Sequence, residues 1–132
     1  MHPSLALRTP EDDLFRHRLE NLLDTRHELC QLAEQIPWAQ CTDRFGPLYA
    51  EHGRPGLPLR LLIGLQYLKH LYAVSDEEVV ARWVENPYWQ SFCGEEYFQH
   101  TLPIAPSQMT RVRQRIGEAG CEWLLQLTIA VG

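Results

Sequence analysis

Apolar residues recur at three- and four-residue intervals along most of this chain, and no run alternates strictly with polar residues. A 3.6-residue period predicts amphipathic helices, so the pattern reads as an all-α, compact multi-helix fold. Pro10 suits the first turn of a helix capped by Thr9. Glu11, Asp12 and Asp13 match its positive dipole end, and Leu14, Leu19, Leu22 and Leu23 form its inner face. A second helix is expected after Asp24, with Leu29, Leu32, Ala33 and Ile36 inward. Pro37 then bends the chain into a short aromatic segment of Trp38, Phe45, Leu48 and Tyr49. The breaker GRPGLP, from Gly53 to Pro58, precedes a helix running from Leu59 to Tyr72 that is apolar almost all round. Such a helix belongs at the centre of the fold. Gly64 weakens it intrinsically and so marks a close approach by a neighbour.

Ser75 and Glu78 have the spacing of a capping box, and Val79, Val80, Trp83 and Val84 form the inner face of the helix that follows. Asn86-Pro87 ends or kinks it. Tyr88, Trp89, Phe92, Tyr97 and Phe98 then crowd into eleven positions. Aromatics this dense read as a second core cluster beneath a loop; the alternative is a stacking platform for single-stranded nucleic acid. Pro103 and Pro106 stiffen the next connection, and Ser107 can cap a helix from Gln108 to Ile116. Met109, Val112 and Ile116 share its buried stripe. Ser107, Thr110, Arg111, Gln114 and Arg115 point away from that stripe, with Gln108 alongside. Arg113 lies at the edge, either a phosphate contact or a stem packed on the core. Gly117 or Gly120 breaks the helix before a last apolar one, from Trp123 to Val131.

The 132 residues suffice for one domain, here taken as 1–132, and 45% hydrophobic with 22% charged residues is a globular balance. No apolar run is long enough to span a bilayer and no signal peptide opens the chain, so the expected location is cytoplasmic. The four cysteines include no CxxC pair, which argues against a zinc ribbon, and their low density argues against a disulfide framework. His27 and Cys30 could share a helix face, but buried or half-buried thiols fit the pattern better. No GxSxG, HExxH or phosphate-binding glycine loop occurs, and the histidines stand apart from any nucleophile. Of the acidic pairs Asp12-Asp13, Glu77-Glu78 and Glu95-Glu96, which could suggest a carboxylate metal site, two fall at expected helix starts, where they complement the dipole. No catalytic residue, metal site or cofactor is therefore expected in this chain.

The formal net charge of −5 does not advertise nucleic-acid binding, but its distribution is uneven. Residues 73–100 carry one basic and six acidic groups, whereas 101–132 carry three basic and two acidic. Those three basic groups, Arg111, Arg113 and Arg115, lie within five positions. A local basic patch on an acidic body can still grip phosphates. Arginine is suited to guanine and glutamine to adenine in the major groove, which makes Gln108, Arg111, Arg113, Gln114 and Arg115 the candidate DNA-binding residues. Arg54, Arg60 and Lys69 are further candidates for backbone contacts. From spacing alone, an ordinary amphipathic helix with a solvated arginine face remains an equal alternative. Two helices, a loop and this helix are helix-turn-helix-like in plan, with a link from Asn86 to Pro106 too long for the compact form.

Three blocks carry a family resemblance: GRPGLPLRLLIGLQYLKHLYAVSDEEVV, RWVENPYWQSFCGEEYFQH and LPIAPSQMTRVRQRIG. With the earlier LFRHRLENLLDTRHELCQLAEQIPW they resemble the N-terminal domain of bacterial insertion-sequence transposases of the InsH-like, insertion-sequence-five group. The resemblance implies an all-helical module that binds double-stranded DNA at the element's terminal inverted repeats. In that family it precedes a ribonuclease-H-like domain whose three carboxylates hold divalent metals for strand cleavage and transfer. The sequence ends at Gly132, before such a domain, so no transposase activity is expected of this chain alone. The expected partners are DNA, the missing catalytic domain or an intact transposase, and a second copy of the chain. A competing function is a protein-interaction remnant that uses the apolar stretch from Trp123 to Val131 to dimerise with, or inhibit, an intact transposase.

Overall fold

A computed structural model of the chain describes residues 18–50 and 58–131, and the side chains of 18–49 and 58–127. Seven helices occur among the described residues: α1 (Leu19–Leu22), α2 (Glu28–Gln35), α3 (Trp38–Ala50), α4 (Leu59–Tyr72), α5 (Asp76–Trp83), α6 (Pro87–Phe92) and α7 (Pro106–Val131). The extended pairing seen there is a single antiparallel bridge between Arg18 and Tyr97. The fold is all-α. The helix start expected at Thr9-Pro10, and most of the Gly53–Pro58 breaker, lie outside the described residues.

The helix α4 is central, packing against α3, α5 and α7. Leu61, Leu62, Ile63, Leu65, Tyr67 and Leu68 are all buried, as an apolar sequence on every face requires. Gly64 is buried among them because Cys93 lies against its backbone. A Cβ placed there would sit 2.6 Å from the Cys93 Sγ and 3.2 Å from its Cα. Gly64→Ala should therefore lower the thermal unfolding midpoint: the gain in helix propensity, about 1 kcal/mol, is outweighed by overpacking against backbone, about 1–3 kcal/mol. A circular-dichroism melt of the variant checks this, and an unchanged or raised midpoint contradicts it.

Local chemistry sets most of the helix ends. The Ser75 Oγ accepts from the Glu78 N–H at 3.0 Å, and Asp76, Glu77 and Glu78 fill the first turn of α5. At α2 the cap is His27, whose Nδ1 accepts from the Leu29 N–H at 3.0 Å while its ring stacks on Tyr88 at 3.9 Å. The Asn86 side chain accepts from the Tyr88 and Trp89 amides, and Pro87 takes the first helical position. The aromatic corner therefore contains a helix of its own, α6. Its Trp89 and Phe92 are buried and Tyr88 is half-buried, which favours the core reading of this cluster over a stacking platform. Likewise the aromatic segment after Pro37 is a full helix, α3, with Pro47 inside it. Pro47 is exposed, so water can satisfy the carbonyl that loses its donor.

Gln90 organises the chain beyond α6. It is wholly buried, its Oε1 accepts from the Gln99 N–H at 2.7 Å, and its Nε2 donates to the Trp83 and Gln99 carbonyls at 3.1 and 3.0 Å. One side chain thus fixes the end of α5 to the loop leading toward α7.

Helix α7 is broken at Gly117, whose φ of 81° and ψ of 167° are outside helical space. A residue with a Cβ is strained there, so glycine is what permits the turn. Two arms result, 106–116 and 118–131, and α4 holds both. The Gln66 Nε2 donates to the Met109 carbonyl at 3.1 Å in the first arm, and the Tyr67 hydroxyl donates to the Leu124 carbonyl at 2.8 Å in the second.

Candidate nucleic-acid interface

The first arm of α7 buries Met109, Val112 and Ile116, the expected stripe, against the core. It begins at Pro106, two residues earlier than a Ser107 cap allows, and Ser107 lies exposed within its first turn. The Gln108 Oε1 accepts from the Ala105 N–H at 3.3 Å, half of a capping box, and this shields an amide that would otherwise be orphaned at the helix start.

Arg113 lies on the flank facing α5 and forms a two-pronged ion pair with Asp76, at 2.7 and 2.9 Å. Thr110 donates to the same carboxylate at 3.3 Å, and the Lys69 ammonium stands 3.7 Å away. Only 17% of the Asp76 side-chain surface is exposed, so the pair is partly shielded from water. Of the two alternatives the sequence left for Arg113, a phosphate contact or a packed stem, the geometry matches packing, through an ion pair that spacing along one helix does not reveal. Planar, bidentate pairing also fixes the rotation of the first arm about its axis.

The hydrogen bonds from Arg113 hold the Asp76 carboxyl below its ordinary value of 3.8, although burial pushes it up. A carboxyl depressed in the folded state adds stability above its unfolded value and loses it as the pH falls through the folded one. The contribution of the clamp is therefore complete near neutrality and declines progressively as the pH falls below about 4. Asp76→Asn should cost about 1–2 kcal/mol at neutral pH and flatten the acid limb of stability. Urea unfolding of both proteins at about pH 7 and about pH 3 checks this; an equal loss in both would remove Asp76 as the cause.

Arg111 and Gln114 are exposed. Arg115 is exposed too, with its guanidinium 5.0 Å from the centroid of the Tyr49 ring on α3. Among the described residues no carboxylate lies within ion-pair distance of Arg111 or Arg115. Arg60 is instead half-buried over the Trp38 ring at 4.4 Å and donates to the Phe92 carbonyl at 3.2 Å. Lys69 donates to the Val74 carbonyl at 3.0 Å. Both therefore hold the scaffold together. Arg54 lies outside the described residues.

The thiols are shielded rather than activated. Burial pushes Cys41 up to about 11 and Cys93 further in the same direction, so both stay protonated at neutral pH. The His27 Nδ1 is taken by its helix cap. Among the described residues no three His, Cys, Asp or Glu side chains converge as a metal site, and no helix is long and apolar enough to cross a membrane.

Comparison with known proteins agrees with the sequence resemblance as far as a transposase-related family. A family model described as "Transposase domain (DUF772)" matches residues 17–115. A curated relative from Rhizobium meliloti, "Uncharacterized protein ORF8 in nfe locus", is 53% identical over 119 residues, 90% of this chain and 58% of the relative. The chain thus spans less than two thirds of that protein's length. No solved structure matches it significantly. The family match takes in the central helix, the capped α5, the aromatic corner and the first arm up to Arg115, and by it this chain belongs to the DUF772 transposase-domain family.

Proposed function

We propose that this chain is the DNA-binding module of an insertion-sequence transposase of the InsH-like type, holding duplex DNA at the terminal repeats of its element. One arrangement supports it: on the first arm of α7, Arg113 is spent on Asp76 while Arg111, Gln114 and Arg115 face solvent with no carboxylate partner among the described residues. A side chain that fixes rotation, beside others left free, is what a helix needs to enter a groove in one register. Arg111 and Arg115 supply phosphate or guanine contacts and Gln114 an adenine contact. Gln108, held by its cap, supports the arm from its N-terminal end. Cleavage and strand joining are assigned to no residue of this chain.

Fluorescence anisotropy with a labelled duplex carrying the terminal repeat, against a scrambled duplex, tests the assignment. The repeat should bind more tightly, and log affinity should fall with log salt by about 0.9 per phosphate neutralised. Absence of duplex affinity even at low salt would overturn it. Self-association on dilution series without DNA affinity would favour the protein-interaction function instead.

A further inference from the structure

Resting on that DNA-binding assignment, we infer that Arg44 on α3 is a second phosphate-binding group, held ready by Trp123 of the second arm of α7, so that the interface spans two helices. The seam between α3 and α7 carries an exposed arginine at each end. At one end the Arg115 of α7 lies 5.0 Å over the Tyr49 ring of α3. At the other the Arg44 of α3 lies 4.8 Å over the Trp123 ring of α7 and 5.8 Å from Phe45. The helices exchange cations across one line of contact, with Phe45 buried between the two ends. Among the described residues Arg44, like Arg115, has no carboxylate within ion-pair distance.

A guanidinium lying on an aromatic face keeps its N–H edge free, and that edge is what grips a phosphate. Stacking also restricts a long side chain before binding, so less entropy is lost when the phosphate arrives. Arg44 and Tyr49 are five residues apart on α3, roughly 7.5 Å along its axis. That offset is close to two steps of one DNA strand, at about 3.4 Å each. The seam can therefore meet phosphates about two steps apart on one backbone while the outer face of the first arm enters the groove.

Arg82 provides an internal control. It too is stacked, 4.7 Å over Trp89 and 5.9 Å over Tyr72, but Glu78 lies 3.5 Å from it on the acidic α5. Duplex affinity of the full chain should be measured across a salt series with a mixed-sequence duplex, alongside the unfolding midpoint. Arg44→Ala should weaken binding about five- to tenfold and reduce the salt slope by about one, with an unchanged midpoint. Arg44→Lys should restore the slope but only part of the affinity, and Arg82→Ala should alter neither. Trp123→Leu should weaken binding in the native background but not beside Arg44→Ala, the signature of a positioning residue. If Arg44→Ala leaves affinity and slope intact while loss of Arg111 and Arg115 does not, this inference fails and the DNA-binding assignment stands. If Arg44→Ala weakens binding and loss of Arg111 and Arg115 does not, the Arg44 contact stands, and the groove-reading arm and the Arg115 end of the seam fall. If the native chain binds no duplex, both fall.

Discussion

Replacing Arg111 and Arg115 together with alanine should weaken terminal-repeat binding about a hundredfold and cut the salt slope by about two. Each guanidinium stands on solvent with no carboxylate partner among the described residues, so its free donors are what a duplex would meet. A charge-assisted contact is worth about 1.5 kcal/mol net, and two give about 3 kcal/mol. The loss should appear in affinity and not in folding, because neither side chain closes a buried ion pair. Arg113→Ala should behave in the opposite way. It frees a shielded carboxylate, so it should lower the unfolding midpoint and weaken DNA binding mainly by letting the first arm turn. A double variant with native affinity and slope would take the arm out of the interface.

Gln90→Leu should cost about 3–5 kcal/mol of stability, the largest loss expected from a single side chain here. Leucine fills similar volume in a wholly buried position but takes their side-chain partner from both the N–H and the carbonyl of Gln99, while the Trp83 carbonyl keeps its bond from the Asn86 N–H at 3.2 Å. Each orphaned group costs about 1–3 kcal/mol. For a domain of this size the midpoint should fall by roughly 10–20 °C, read by a thermal melt. Below that midpoint DNA affinity should be nearly retained, since Asp76 and Gln66 hold the first arm independently of Gln90. A drop in midpoint of only one or two degrees would mean that water or a moved loop replaces the missing bonds.

Much of this architecture was legible in the chain. The run LRLLIGLQYLKHLY could only be a central helix, and α4 has the expected bounds. The Ser75 N-cap, one half of the expected capping box, appears, as do the stripe of Met109, Val112 and Ile116 and a break at Gly117, the first of the two glycines the sequence offered for it. So does the close neighbour implied by Gly64, though its identity as Cys93 was not foreseeable. Each of these signals is local: a periodicity, a cap, a residue lacking a side chain. Two helices were not legible as helices. In α3 the interior Pro47 and scattered aromatics masked the period, and in α6 the six residues are too few to show one.

The candidate interface divides along the same line. Sequence alone determined that a cationic, amide-rich helix with one apolar stripe lies near the carboxyl end, because composition and a 3.6-residue period are properties of neighbouring positions. Only tertiary structure decided which of its arginines are free. Arg113 meets a carboxylate 37 positions away, and Arg44 meets the ring of Trp123 across a seam between two helices. Such pairings follow from how helices are brought together in space, and sequence spacing holds no record of them.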